Sequence, residues 1–331
     1  RDISTDSGLF SLNSGTAFRT LQWGLNYMHT EVKRDRLNPI ALERSTALLR
    51  YMITHQFGLV ATGGYERNSF ISIRGKSSSP TWTVGFTWTP TERTDIDFSA
   101  GQRFFGDTYL PNQNHRTRMT TWNFNYNESL TTFGQQALGG GVFGGFGLGG
   151  GALGGGFSQF VPGLQNSGIN LDQGVPFTFF DPSNFLTNRL FLQKRLQGVL
   201  AINGRKNTVL LSGFNMSRRA YTDDSEDELL EGGRLAAILT RNTDQTGGGI
   251  SWNYRIAPLT NATINYTYSR INLLTAGRTD DNQLIMLSLN RQFTHNITGT
   301  LSYFHNRRSS DRANADFNSN SITAMLNMIF N

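Results

Sequence analysis

Ile250-Ser251-Trp252-Asn253-Tyr254-Arg255-Ile256 opens the stretch that decides the fold, which runs from Gly248 to Asn331. Its even positions are apolar or aromatic and its odd positions mostly polar. After Ala257-Pro258-Leu259-Thr260 the alternation resumes, with Ala262, Ile264, Tyr266 and Tyr268 against Asn261, Thr263, Asn265, Thr267 and Ser269. It continues through Ile285, Leu287, Leu289 and Phe293, then Ile297, Leu301 and Tyr303, and ends on Ile322, Ala324, Leu326, Met328 and Phe330. Successive side chains of a strand point to opposite faces, so each segment has one greasy and one wet face.

A soluble sandwich also shows this alternation, but its strands are usually about five or six residues long. Here they run to roughly twice that, with aromatics near their ends, and about ten tilted residues cross a bilayer. Short turns (Ala257–Thr260, Thr294–Asn296) alternate with longer, charged ones (275–282, 307–318). Both features fit a transmembrane barrel with short turns on one side and long loops on the other.

The same pattern runs upstream. Residues 1–16 read as a loose polar entry. Strands follow near 17–30, with Trp23 on the greasy side, and near 42–55, with Arg50 on the wet side. A third, 59–66, puts Glu66 on the wet side. Trp82, Val84, Phe86 and Trp88 alternate with threonine and glycine, turn at Pro90–Arg93 and return as Ile96, Phe98 and Ala100. Asp95, Asp97 and Arg103 oppose that return, as charges suited to water and not to lipid. After a loop over 106–115, Trp122, Phe124 and Tyr126 alternate with Asn123, Asn125 and Asn127.

The pattern breaks over 134–189, where residues 139–156 hold twelve glycines among eighteen. That insert reads as a flexible loop, as a plug or constriction folded into the lumen, or as a contact with an envelope partner. No Lys-Ser/Thr pair follows the glycines, so it is no phosphate-cradling loop. Beyond it, Leu190–Asn203 alternates, with Arg195 on the wet side, and reverses at Gly204–Asn207. Strand direction then demands one more upward crossing, expected inside 134–189. The total is about fourteen strands, or twelve if neither that crossing nor Leu190–Asn203 spans. The acidic run Asp223–Glu231 lacks the spacing of a calcium loop and reads as a solvated loop.

The expectation is one domain over 1–331: an all-β, transmembrane, antiparallel up-and-down β-barrel with a Gly-rich insert. The lumen-lining candidates are Arg50, Glu66, Asp95, Asp97, Arg103, Asn123, Asn125, Arg195 and Arg255. Lipid-facing candidates are Trp23, Trp82, Phe86, Trp88, Trp122, Tyr126, Trp252, Tyr266, Tyr268, Tyr303 and Phe330.

Composition narrows the function. The chain has no cysteine, which removes disulfides, thiolate catalysis and cysteine-held metal. Mean hydropathy is −0.37 and no run approaches the length of a membrane helix. Net charge is +6, but the cations are scattered through loops and strand ends, which does not describe a nucleic-acid surface. Those near one rim suit anionic lipid headgroups or lipopolysaccharide phosphates. No signal pattern precedes Arg1, so an exported chain would have lost its leader. The five histidines fall at strand ends or turns, with His115 and His305 expected on one rim. No nucleophile–base pair, metal cluster or cofactor motif is found, so neither an enzyme nor a cofactor is expected.

Several runs carry a resemblance: Val84–Arg93, Gly101–Tyr109, Asn125–Thr132, Gly204–Thr208 and Ile250–Ile256. From about residue 42 to the end, the chain resembles the outer-membrane β-barrel proteins associated with the PEP-CTERM/exosortase system. The resemblance implies a porin-like barrel in a Gram-negative envelope, found with exopolysaccharide and protein-sorting functions. It carries no residue roles. One departure is that Asn331 follows Phe330, where such barrels commonly end on an aromatic residue. Two functions are carried forward: a channel for small polar solutes or saccharide material, and a non-conducting scaffold for an envelope export or electron-transfer assembly.

Overall fold

The computed structural model describes residues 3–15, 17–34, 37–70, 72–73, 76–132, 190–222 and 242–328. The expected insert at 134–189, the acidic run at 223–231 and Phe330 lie outside them. Among the described residues fifteen strands form one sheet, each paired antiparallel to the next in chain order. They are β1 (Ile3–Asn13), β2 (Leu21–Arg34), β3 (Leu37–Met52), β4 (Phe57–Asn68) and β5 (Ser79–Thr91). Then come β6 (Thr94–Arg103), β7 (Gly106–Arg116), β8 (Thr120–Thr132), β9 (Leu190–Asn203) and β10 (Asn207–Ala220). The last are β11 (Asn242–Ala257), β12 (Thr260–Leu273), β13 (Arg278–Thr294), β14 (Ile297–Ser310) and β15 (Phe317–Met328). The fold is an all-β, up-and-down barrel wall, as the alternation implied. Among the described residues no pairing joins β1 to β15, and β15 is exposed along nearly its whole length.

The expected fourteen strands become fifteen, and the discrepancies are instructive. The insert at 134–189, where the missing upward crossing was expected, lies outside the described residues; β8 and β9 pair directly and antiparallel from Thr120↔Ile202 to Thr132↔Leu190, so the described sheet needs no strand between them. The overlooked strand is β7. It leaves β6 through a tight turn at Phe104-Phe105 that brings Arg103 opposite Gly106, whose φ of 117° only glycine adopts readily. β7 carries Pro111 and one large exposed aromatic, Tyr109, so its period is faint. The other addition is β1, expected to be a loose entry because residues 1–16 are polar with Ser, Gly and Asp; it pairs with β2 from Ile3↔Arg34 to Asn13↔Gly24.

Register fixes the two faces. Across β3 to β6, Tyr51, Leu59, Phe86 and Phe98 stand in one row on the outer face. Phe86 packs 5.9 Å from Phe98 and the same distance from Phe57, centroid to centroid. These outward residues are large and exposed, Val84 at 56% and Trp82 at 50%. Hydroxyls meet behind them, Thr62 Oγ1 lying 2.6 Å from Thr83 Oγ1. A wall that shows solvent its aromatics and covers its threonines is the inverse of a soluble fold.

A buried apolar cluster sits at the long-loop end. Ile40 and Leu42 of β3, Leu130 of β8, and Leu190 and Leu192 of β9 meet Phe70, Phe104 and Tyr221 there. Phe70 and Phe104 each pack edge-on against Tyr221, at 5.8 and 5.6 Å. The β4–β5 connection also reaches the end of β10 by backbone bonding: Ile73 N–H donates to Tyr221 O at 3.0 Å, and Ser72 bridges Thr222. In a flat sheet β4 and β10 would stand six strands apart, so these contacts require the sheet to curl round an interior.

Candidate functional site

Parity places all nine lumen candidates on the face opposite the exposed aromatics. They separate into groups at different heights. Near the short turns, Asp95 and Asp97 of β6 stand opposite Asn114 and Asn112 of β7, which in turn stand opposite Asn123 and Asn125 of β8. Asn123 Nδ2 donates to Asn114 Oδ1 at 2.6 Å, and Asn125 Nδ2 to Asn123 Oδ1 at 3.4 Å. The product is a continuous carboxylate–carboxamide patch across three strands. Asp95 repels Asp97 two residues on, while Asp97 attracts Arg50 from β3.

Arg195 flanks the other side of that patch. It pairs in register with Asn127, and its guanidinium carbon lies 5.7 Å from the centre of the Phe214 ring. Among the described residues its buried Nε has no hydrogen-bond partner, and neither has that of Arg50. Arg255 stands at the short-turn edge, where its Nη2 donates to Arg205 O at 3.0 Å. The arrangement offers acceptors, amide donors, two arginines and an aromatic face, which suits hydroxyl-rich or charged solutes.

Higher up, Glu66 and Arg103 form a different kind of group. Glu66 is 3% exposed and takes Arg103 Nε and Nη2, both at 2.9 Å, with Arg44 Nε at 3.3 Å. Arg103 also donates to Glu128 O at 3.3 Å and lies 4.7 Å from the Phe105 ring centre. This is a buried structural ion cluster, closed by the apolar group above it. A counterpart on β13–β14 has Asp280, 1% exposed, bonded by Arg308 Nη2 at 2.5 Å and Arg278 Nε at 2.7 Å.

Sequence reasoning missed Arg44, Asp280, Arg278 and Arg308. Arg44 shares the parity of Arg50 and could have been found by extending that row upward. Asp280 and Arg308 fell in stretches read as loops, because the strands continue beyond their apolar bands. The expected shared rim of His115 and His305 is corrected: His115 meets Thr94 Oγ1 at 2.8 Å in the short-turn half, while His305 of β14 meets Asn320 Oδ1 of β15 at 2.8 Å in the other half. Among the described residues, no group of three His, Asp or Glu comes together to hold a metal.

The lipid-facing candidates share the outer face, Phe330 apart. Trp82, Trp88, Trp122, Trp252 and Tyr266 are exposed, and Trp23, Phe86, Tyr126, Tyr268 and Tyr303 are half-buried. Two of the tyrosines are tethered: Tyr126 donates to Glu128 Oε1 and Tyr268 to Asp281 Oδ1, each at 2.6 Å. Among the described residues no helix is long and apolar enough to cross a membrane, which says nothing about strands.

No family model and no curated protein matches the chain, so the PEP-CTERM resemblance rests on its motifs alone. Similar solved structures include OmpT, an outer membrane protein of Vibrio cholerae, at 9% identity and TM-score 0.36, covering 98% of this chain and 94% of that one. OccK10 (OpdN) of Pseudomonas aeruginosa is similar at 10% identity and TM-score 0.38, covering 99% and 96%. OprD of the same organism stands at 9% identity and TM-score 0.35, covering 99% and 91%. The fold described above rests on strand register and face chemistry.

Proposed function

We propose that the chain forms a porin-like barrel in a Gram-negative outer membrane, surrounded by lipid and lipopolysaccharide, and passes small polar solutes, saccharide material among them. The observation that carries this reading is the carboxylate–carboxamide patch of β6–β8, flanked by Arg50 and Arg195, behind a wall whose outer face is aromatic. Lipid-exposed aromatics need a bilayer, and charged inner residues need water. Asp95, Arg255 and Asn290 on the inner face are exposed near the short turns, which supports solute entry from that end.

The apolar cluster at the other end favours a second reading, a barrel shut at rest and used as a scaffold. Single-channel recording in planar bilayers separates the two, comparing the native chain with Phe70→Ala/Tyr221→Ala. Steady conductance of the native protein supports the open channel. Silence relieved by the double substitution makes it a gated channel. Silence of both folded proteins removes the transport reading. No enzymatic activity is proposed.

A further inference from the structure

We infer a binding site for the phosphorylated headgroup of an outer-leaflet glycolipid on the outer face of β12–β14, at the long-loop end. It rests on the membrane placement proposed above and not on conductance. Tyr268 and Arg270 of β12, Asp281 and Gln283 of β13, and Arg307 and Ser309 of β14 stand together there. A polar cleft of about 260 Å³ opens between Tyr268, Asp281, Gln283, Arg307 and Ser309.

Its electrostatics are uneven. Asp281 Oδ1 accepts from Tyr268 at 2.6 Å and from Arg270 Nε at 2.8 Å, and its Oδ2 accepts from Arg270 Nη2 at 3.1 Å. Asp281 therefore holds the Arg270 plane and is neutralised by it, leaving the Arg307 charge uncompensated. Several other cations on the same rim are paired. Lys33 has Asp6 at 3.0 Å, Lys194 has Glu128 at 2.9 Å, and Arg219 has Asp244 at 2.7 Å. Among the described residues Arg307 makes no such pair. A planar guanidinium beside hydroxyl and carboxamide donors is the chemistry that takes a phosphate next to sugar hydroxyls.

The surroundings select the source of that phosphate. On the same strands and face, toward the short turns, lie Ile264, Tyr266, Leu287, Leu289 and Leu301, all exposed. An anion-binding cleft directly above an apolar wall fits an amphiphile whose head is phosphorylated and whose acyl chains run down the barrel. A free anion would gain nothing from that wall.

The test uses the full chain, purified in detergent and shown to be folded by its heat-modifiable gel mobility. Native mass spectrometry would titrate diphosphorylated lipid A, dephosphorylated lipid A and inorganic phosphate. A one-to-one lipid A adduct is expected, weakened roughly tenfold by Arg307→Gln, the loss of about one charge-assisted contact. Arg270→Gln should weaken it too, Lys33→Gln should not, and dephosphorylated lipid A should bind poorly. The inference is overturned if folded protein takes up no lipid A, if Arg307→Gln binds as the native chain does, or if inorganic phosphate displaces the lipid at equal concentration. A protein that stays monodisperse without detergent would instead overturn the membrane reading itself.

Discussion

The two ends of the inner face are built on opposite principles. Near the short turns it is polar, and Asp95, Arg255 and Asn290 are open to solvent, although smaller side chains such as Thr87 are covered by their neighbours. At the long-loop end Thr30 and Asp280 are at most 1% exposed. Charge is present at both ends, but it is organised differently. Below, Arg50, Arg195, Asp95 and Asp97 share one face, and among the described residues no tight ion pair joins them. Above, Glu66 and Asp280 are each clamped by two arginines. The lower half leaves charged groups open to solvent, and the upper half locks them into buried ion clusters.

The sharpest way to break this contrast is to remove the upper clamp. Glu66→Ala leaves Arg103 and Arg44 buried without their shared carboxylate, at a cost of about 3–5 kcal/mol. The gel-shift melting temperature of the folded barrel should drop accordingly, whereas Asp95→Ala should barely move it. An equal drop for both would erase the distinction. Next comes Phe70→Ala, which removes an aromatic ring packed on Phe104 and Tyr221. It should cost roughly 3 kcal/mol, read from denaturant unfolding in detergent. Thr62→Val, within the covered lower wall, breaks one hydroxyl contact and should cost about 1 kcal/mol in the same assay.

Arg50→Ala should change stability least, by less than about 0.5 kcal/mol. In a barrel that conducts, however, it should lower the anion preference of the reversal potential under a salt gradient. Asp97→Asn should shift that potential the opposite way. If both leave it unchanged, the lower patch does not face the conducted path.

How much of this was legible in the sequence follows from the period of two. β11 to β14 could be read because the two faces of the wall carry opposite chemistry on successive residues, as in Ile264, Tyr266 and Tyr268 against Asn265 and Thr267. The nine inner-face candidates came from the same parity. Where a strand has both faces covered the code fails. Leu190, Phe191 and Leu192 are consecutive apolars, all buried, because both faces of β9 are covered at that height. β7 was lost because Pro111 and its asparagines carry no greasy side, and the upper cluster because its members come from six separate parts of the chain. No local window contains Leu42, Phe70, Phe104, Leu130, Leu190 and Tyr221 together.

The strap across the upper interior also bears on the order in which the protein assembles. Neighbouring strands such as β5 and β6 are joined by a turn of a few residues, so their pairing costs little loop entropy and can form early. Tyr221 Oη donates to Lys76 O across 145 residues of chain, and that contact has no geometry until every hairpin from β4 to β10 has formed and the sheet has curled. The mouth is therefore the last part to close, and an assembling chain passes through a stage in which its strands are paired and its upper end is still open.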